Sequence, residues 1–266
     1  MEHLFKAWKD FSTAVEVSSH VLLLSDYDGT LTPIVSRPED ALLSIEVKNM
    51  LSTLVQKPTY SVGIISGRSM EELKAMVSID GIYYSGNHGL EIEGPHLQYI
   101  SEPARTVRPL IKELARDMTA ALENVVGVII QDKGLSLSVH YRLVSPEEEN
   151  TVAETFRRLT RPLVNDGRIK VTTGKKVYEI RPPIDWHKGK AVDTIKREIK
   201  SALNLESILT VYLGDDTTDE DAFRTLHLPE GWGIYVGKEN PLSAATHYLE
   251  SVNEAEEFLA RLIELR

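Results

Sequence analysis

The sequence predicts an α/β protein: a doubly wound parallel-sheet core interrupted by an inserted α+β cap. Three observations carry this. Short, continuously apolar runs alternate with stretches of helical periodicity in the first and last parts of the chain, the pattern of βαβ units. The middle has instead a strand that alternates residue by residue, as an antiparallel sheet with one buried face requires. The length, 266 residues, suits one large domain or a domain with an insert at about 150 residues each. The expected boundaries are 1–104 for the first part of the core, 105–180 for the cap and 181–266 for the return to the core.

The opening stretch, Met1–Val21, fits either a first helix or an arm that binds a partner. Val21–Asp26 (VLLLSD) is apolar up to its polar end, which suits a strand buried on both faces. Residues Glu39–Gln56 place Leu42, Leu43, Val47, Met50, Leu51 and Leu54 at helical spacing. Tyr60–Ile65 is a second buried strand, followed by a helix near Met70–Val77. Pro103–Leu122 reads as a helix, and Val125–Leu143 as two strands joined at the turn Asp132-Lys133-Gly134. In the second of these, Leu135, Leu137 and Val139 form the expected buried side, and Ser136, Ser138 and His140 the exposed one. Ser145-Pro146-Glu147-Glu148 has the makings of a helix start: Ser145 as N-cap, Pro146 at the first helical position and Glu148 completing a capping box. That helix is expected to reach about Thr160, ahead of a strand pair at Arg168–Thr173 and Lys176–Pro182. After Pro183 come a helix (Lys188–Leu203), a strand (Ile208–Leu213), a helix near Asp219–Leu226, a strand (Gly233–Val236) and a terminal helix (Asn253–Leu265).

Composition excludes several classes. With no cysteine, thiol nucleophiles, disulfide frameworks and thiolate zinc sites are absent. A chain of this length buries about 70–75% of its unfolded surface, so its core needs neither disulfide nor structural metal. Forty acidic against thirty basic residues, a net charge of −10, argue against a general nucleic-acid binder. No apolar run approaches the ~20 residues that span a bilayer. MEHLFKAWKDF carries charges and aromatics where a signal peptide would be apolar, so a cytoplasmic location is expected.

Two acidic clusters stand at expected strand ends, where ligands of open α/β sheets bind. Asp26-Tyr27-Asp28-Gly29-Thr30-Leu31 places two carboxylates close together, with a glycine to turn the backbone: one could attack and the other shuttle a proton. A solvated Asp-Gly turn is the plain alternative. Gly214-Asp215-Asp216-Thr217-Thr218-Asp219 sets three carboxylates in five residues, which repel unless a cation neutralises them. Hard oxygen ligands favour Mg²⁺. Asp219 and Glu220 would also suit the acidic start of the next helix. Two such clusters in one sheet are harder to explain structurally than either alone. Ser66-Gly67-Arg68 follows a strand and offers a hydroxyl and a backbone amide to a phosphate. Lys188 opens a helix and can hold phosphate and carboxylate as a point charge. No glycine-rich phosphate loop of the GxxxxGK type supports a nucleotide kinase.

In this order the segments resemble the four motifs of the haloacid dehalogenase superfamily: DYDGTL as the first, Ser66 the second, Lys188 the third and GDDTTD the fourth. The resemblance spans Val21 to about Gly237 and implies the superfamily's Rossmann-like core. It further implies that Asp26 attacks phosphorus and forms an aspartyl-phosphate, while Asp28 protonates the leaving alkoxide and then deprotonates water. Mg²⁺ would be held by the Asp26 carboxylate, the Asp28 backbone carbonyl, Asp215 and the phosphate, with Asp216 or Asp219 alongside. Ser66 and Lys188 would balance charge on the transferring group, and Thr30, Gly67 and Arg68 join them as binding residues.

The finer resemblance is to trehalose-6-phosphate phosphatases, whose fourth motif GDD-x-T-D-E-D-A-F is matched by Gly214–Phe223. Ile65–Arg68 and Gly86–Glu91 fit that family, as do Asp132-Lys133 with Val139–Arg142, and Gly174-Lys175 with Glu179–Pro182. The resemblance implies a small sugar-phosphate substrate whose hydroxyls Gln131, Lys133, Arg142, Lys175 and Glu179 would grip, while His88 could either touch the substrate or cap the local backbone of its Asn-His-Gly turn. Gln131 departs from the glutamate that fungal and plant relatives tend to carry, substituting an amide for a pure acceptor. His140 and His187 read as structural. Also expected are a cap that closes over the sugar, a monomer, and a trehalose-6-phosphate synthase as partner, with charge and hydropathy arguing against nucleic acid and membrane. A phosphatase of sucrose 6-phosphate or mannosyl-phosphoglycerate, or a non-catalytic sugar-phosphate sensor, stays open. A sensor would have no use for Asp26, Asp28, Lys188 and Asp215 together.

Overall fold

In a computed structural model that describes residues 1–265, the chain opens with a two-residue strand β1 (Glu2–His3) and helix α1 (Trp8–Val17). The opening stretch is therefore a helix that belongs to the core. Phe11 is fully buried and meets Trp232 and Phe258 edge-on at 5.1 and 5.4 Å. Next come β2 (Val21–Ser25), α2 (Ile45–Gln56), β3 (Tyr60–Ile65), α3 (Met70–Val77), β4 (Tyr83–Gly86), β5 (Glu91–Gly94) and β6 (Leu97–Ile100). The insert contributes α4 (Glu102–Ala121), β7 (Ile129–Asp132), β8 (Leu137–His140), α5 (Glu149–Asn165), β9 (Lys170–Gly174) and β10 (Val177–Arg181). The chain returns with α6 (Lys188–Ala202), β11 (Leu209–Gly214), α7 (Glu220–Phe223), β12 (Gly231–Val236), β13 (His247–Leu249) and α8 (Val252–Glu264).

Nine strands form the main sheet in the order β1-β13-β12-β11-β2-β3-β4-β5-β6. Pairing is parallel from β1 through β4 and antiparallel between β4 and β5. Strand β2 is apolar throughout because helices cover both faces of the sheet. Val21 and Leu23 enter a cluster with Phe11, Val47, Leu51, Leu54, Leu73 and Phe258. Leu22 and Leu24 enter another with Ala191, Val192, Ile195, Ile199 and Phe223. At ~25 cal/mol per Å² of apolar area, this two-sided burial is the main favourable contribution to the fold.

Two compact units result: Met1–Tyr99 with the chain from Trp186 onward, and Ile100–Asp185. Tyr99 and Trp186, the residues of the first unit at its two crossings into the second, stack at 5.2 Å and 17°. The second unit has a four-stranded antiparallel sheet in the order β7-β8-β10-β9. Its core joins Ile111, Leu114 and Met118 of α4 and Val152 and Phe156 of α5 to Leu137, Val139 and Ile180. No helix among the described residues is long and apolar enough to cross a membrane.

Several elements differ from expectation. Helix α2 starts at Ile45 instead of Glu39, because the Ser44 hydroxyl caps it, accepting from Val47 N at 3.1 Å. Leu42, counted in its apolar spacing, is 71% exposed. Helix α5 starts at Glu149, with no side-chain cap; Ser145–Glu148 forms a turn closed by Glu148 N on Ser145 O at 3.0 Å. It runs through Pro162 to Asn165, since Leu159 and Leu163 pack on the second unit's core. Helix α7 has four residues, shorter than the expected Asp219–Leu226. Ser136 and Ser138, expected on the exposed side of their strand, are both 1% exposed. Ser138 pairs with Gln131 on one side and Glu179 on the other, and these longer side chains screen it.

Candidate active site

The carboxyl ends of β2, β3 and β11 are adjacent, so the segments that follow these strands are neighbours although far apart in sequence. Asp26 extends the β2–β11 ladder by one bond, its amide donating to Leu213 O at 2.8 Å. The chain then turns: Leu31 N and Thr32 N both donate to Tyr27 O, and Gly29 N donates to Thr32 O at 2.7 Å. Gly29 has φ +86°, and a Cβ there would lie 2.2 Å from Asp215 Oδ2. Glycine is needed both for the left-handed turn and for the approach of the second acidic cluster. Gly29→Ala is therefore expected to lower stability by about 1–3 kcal/mol through strain and overpacking. Urea denaturation would check this, and an unchanged midpoint would contradict the close approach.

Lys188 is the first residue of α6 and only 2% exposed. Its Nζ lies 2.8 Å from Asp26 Oδ1 and 2.7 Å from Asp219 Oδ1. Burial works against its charge, but Asp219 and Asp26 prevail and hold its proton above the ordinary lysine range. Burial is also the largest influence on Asp26, pushing its pKa well up; Lys188 opposes that shift, while Asp219 and Asp215 add to it.

Asp219 is completely buried, and four donors reach it. Oδ1 accepts from Lys188 Nζ and from Tyr212 OH at 2.5 Å; Oδ2 accepts from the amides of Asp215 and Asp216 at 3.1 and 3.0 Å. The loop can close on this carboxylate because residue 214 is glycine: a Cβ there would sit 2.4 Å from Asp219 Cγ. Burial, followed by the charges of Asp219 and Asp26, pushes the Tyr212 hydroxyl well above its usual pKa, so it remains a donor.

One oxygen each from Asp26, Asp215 and Asp219 lies within 4.8 Å of the others. Three carboxylates against the single ammonium of Lys188 leave two negative charges in a largely buried space. That balance fits a divalent cation with hard oxygen ligands. Asp26 and Asp215 are the carboxylates suited to hold it, since the four donors on Asp219 occupy its lone pairs. Asp216, expected among the ligands, lies outside this group: it is exposed, and its Oδ1 accepts from Thr217 N at 2.6 Å. The Asp28 carboxylate also lies outside it and is bound by Arg68.

Ser66 is 1% exposed; its Oγ accepts from Arg68 N at 3.2 Å and its carbonyl from His88 N at 2.9 Å. Thr30 is buried and donates to Asp215 Oδ1 at 3.5 Å, a long bond. A Cβ on Gly67 would meet the His88 ring at 2.5 Å, so the ring lies directly against that glycine. Asn87, His88 and Gly89 all have positive φ, and Asn87 Nδ2 locks the turn by donating to Glu91 Oε1 at 2.6 Å.

In the second unit, Glu179 accepts from Lys133 Nζ at 3.2 Å and from Arg181 Nε at 2.7 Å, while Gln131 Oε1 and His140 Nε2 are 3.1 Å apart. Gln131 and Glu179 both lie opposite Ser138 and so share its face of the sheet. Arg142 and Lys175 are exposed and meet through Arg142 Nη2 and Lys175 O at 3.2 Å. His187 is the N-cap residue of α6 and makes no capping bond. Arg181 falls within the matched segment Glu179–Pro182, but neither it nor Tyr212 is singled out by the sequence as a site residue. The available signal for Tyr212 was a hydroxyl inside the otherwise apolar end of β11, directly before the acidic loop.

Comparison with known proteins adds to this geometry. The trehalose-phosphatase family model matches residues 24–251. Trehalose 6-phosphate phosphatase RA3 of Zea mays is 35% identical over 263 residues, covering 94% of this chain and 71% of the maize protein. Trehalose-phosphate phosphatase B of Arabidopsis thaliana is 32% identical, covering 92% of this chain and 66% of that protein. The chain thus spans about two thirds of the length of these plant relatives. Among solved structures, the C-terminal domain of trehalose-6-phosphate phosphatase from C. albicans superposes with a TM-score of 0.80 at 25% identity, covering 100% of this chain and 99% of that one.

Proposed function

The chain belongs to the trehalose-phosphatase family, and from that premise we propose that it hydrolyses trehalose 6-phosphate to trehalose and phosphate through an aspartyl-phosphate on Asp26. The observation that carries the reading is the buried chain Tyr212–Asp219–Lys188–Asp26. It holds one carboxylate oxygen of Asp26 against a buried cation at the end of a strand, which supports Asp26 as the attacking group.

In the proposed reaction an Asp26 oxygen forms a bond to phosphorus as the ester P–O bond breaks. Asp28 gives its proton to the departing sugar oxygen. Water then attacks the same phosphorus and passes a proton back to Asp28, and the aspartyl O–P bond breaks to release phosphate. Lys188 offsets charge on the phosphoryl oxygens, and the Ser66 hydroxyl and the backbone at Gly67 add donors. Asp26 and Asp215 would hold Mg²⁺, with the Asp28 carbonyl. Bound there, the ion would neutralise the carboxylates and the phosphoryl group together. Asp219 holds Lys188 and the loop in place. Gln131, Lys133 and Glu179, with Arg142 and Lys175, supply the charged and amide groups that sugar hydroxyls pair with, and His88 is assigned as a further contact. The proposal takes the protein as a cytoplasmic monomer acting on the product of a trehalose-6-phosphate synthase.

Phosphate release from trehalose 6-phosphate, sucrose 6-phosphate, glucose 6-phosphate and mannosyl-phosphoglycerate, with Mg²⁺ and with EDTA, tests this. The expected result is a strong preference for trehalose 6-phosphate, abolished by EDTA and restored by excess Mg²⁺. A preference for another ester would keep Asp26 and Asp28 and discard the sugar assignment, with Gln131 the first residue to re-examine. No release from any ester would favour the sensor reading, and release that survives EDTA would remove the metal.

A further inference from the structure

Arg68 is 7% exposed, and its guanidinium is engaged by groups of the protein itself. Nε donates to Asp28 Oδ2 at 2.8 Å, and Nη2 donates to Asp28 Oδ1 at 2.5 Å and to Pro38 O at 2.9 Å. Its backbone is pinned as well: the amide donates to Ser66 Oγ at 3.2 Å, and the carbonyl accepts from Asn87 N at 2.7 Å. The guanidinium lies over the Tyr27 ring, 5.3 Å from its centroid, and Tyr27 OH donates to Ala41 O at 2.7 Å. Swinging Arg68 toward a phosphate would break the fork and leave a buried cation short of partners.

Asp28, by contrast, has a side chain 40% exposed, and the Arg68 fork makes its only side-chain hydrogen bonds among the described residues. A two-pronged guanidinium bond fixes the plane of a carboxylate, which a single contact does not. It uses one lone pair on each oxygen, so each retains another on which a proton can be carried.

We propose that Arg68 is the positioning residue of Asp28: it sets the direction in which that carboxyl delivers its proton to the leaving oxygen, and it is not a phosphate ligand. This rests on the reading of Asp28 as the proton donor. In the step concerned, the Asp26 O–P bond forms, the ester P–O bond breaks, and the Asp28 proton goes to the departing alkoxide. Arg68 gives up no proton. Its removal leaves the donor present but free to rotate.

Two esters with different leaving groups separate the possibilities. Trehalose 6-phosphate releases an alkoxide that must be protonated; p-nitrophenyl phosphate releases a nitrophenolate that leaves without a proton. The ratio of their kcat/KM values covers the chain only through P–O cleavage, and it is independent of the folded fraction of a preparation. Asp28→Asn is expected to lower kcat/KM on the alkyl ester about 10²–10⁴-fold, with a far smaller loss on the aryl ester. Arg68→Gln is expected to shift the ratio the same way by at least about tenfold, and Arg68→Lys, which keeps the charge without the fork, to recover only part. Equal losses on both esters in Arg68→Gln, or none, would overturn the proposal, the former pointing to a phosphate grip or a structural role. An indiscriminate Asp28→Asn would remove the premise itself, which is a different failure.

Discussion

Asp26→Asn is expected to abolish phosphate release while raising, not lowering, the stability of the metal-free protein. Loss of a covalent nucleophile costs on the order of 10⁴–10⁶ in turnover, or about 5–8 kcal/mol of barrier. The opposite sign for stability follows from the charge balance: Asp26 is buried, is repelled by Asp219 and Asp215, and has only one cation to offset it. An amide of the same shape removes one of two excess negative charges and leaves Lys188 paired with Asp219. Phosphate release and a thermal melt in EDTA on the same preparation check both halves. Near-normal turnover would sink the nucleophile assignment. A lower melting temperature would mean that Lys188 more than compensates its two carboxylates. Sites built for chemistry commonly trade stability in this way.

Lys188→Ala should have the largest effect on folding. Removing the cation strands Asp26 and Asp219 together in a space where they are 6% and 0% exposed. Breaking a buried ion pair by deleting one partner typically costs ~3–5 kcal/mol, because the other charge is left uncompensated. Urea denaturation should show that loss, and Mg²⁺ should narrow the gap to the unsubstituted protein by binding the stranded Asp26 together with Asp215. Lys188→Met should be no better than Ala despite filling the volume, since the penalty is charge and not cavity. A methionine variant close to the original protein in stability would refute that account.

Legibility in the sequence followed physical cause. β2 and β3 were readable because both faces of each are covered, which leaves unbroken apolar runs. β4, β5 and β6, four residues each, were not, since Gly86, Glu91, Glu93 and Gly94 interrupt any pattern. The start of α2 was hidden because Leu42 and Leu43 extend its apolar spacing across Ser44, the residue that caps it. Spacing alone placed Asp26, Ser66, Lys188 and the acidic loop at the ends of elements. It could not say which acid of Asp215-Asp216-Thr217-Thr218-Asp219 turns inward, because that depends on Gly214 admitting Asp219 and on Tyr212 and Lys188 waiting for it. Arg68 is the same lesson: a cation after a strand suggests an anion, and only the pairing of β3 beside β2 shows that the anion belongs to the protein.

The stack of Tyr99 on Trp186 bears on how such a chain came to be assembled. Where the backbone leaves the sheet unit and where it re-enters it, the two flanking side chains are already in ring contact. The stretch between them is thus a cassette spliced into a single surface position of an otherwise closed unit. The entropic cost of closing such a loop rises only logarithmically, about 0.6 kcal/mol for each doubling of its length. Lengthening, replacing or grafting the cassette therefore costs the sheet unit little, since its own ends stay joined by the two rings.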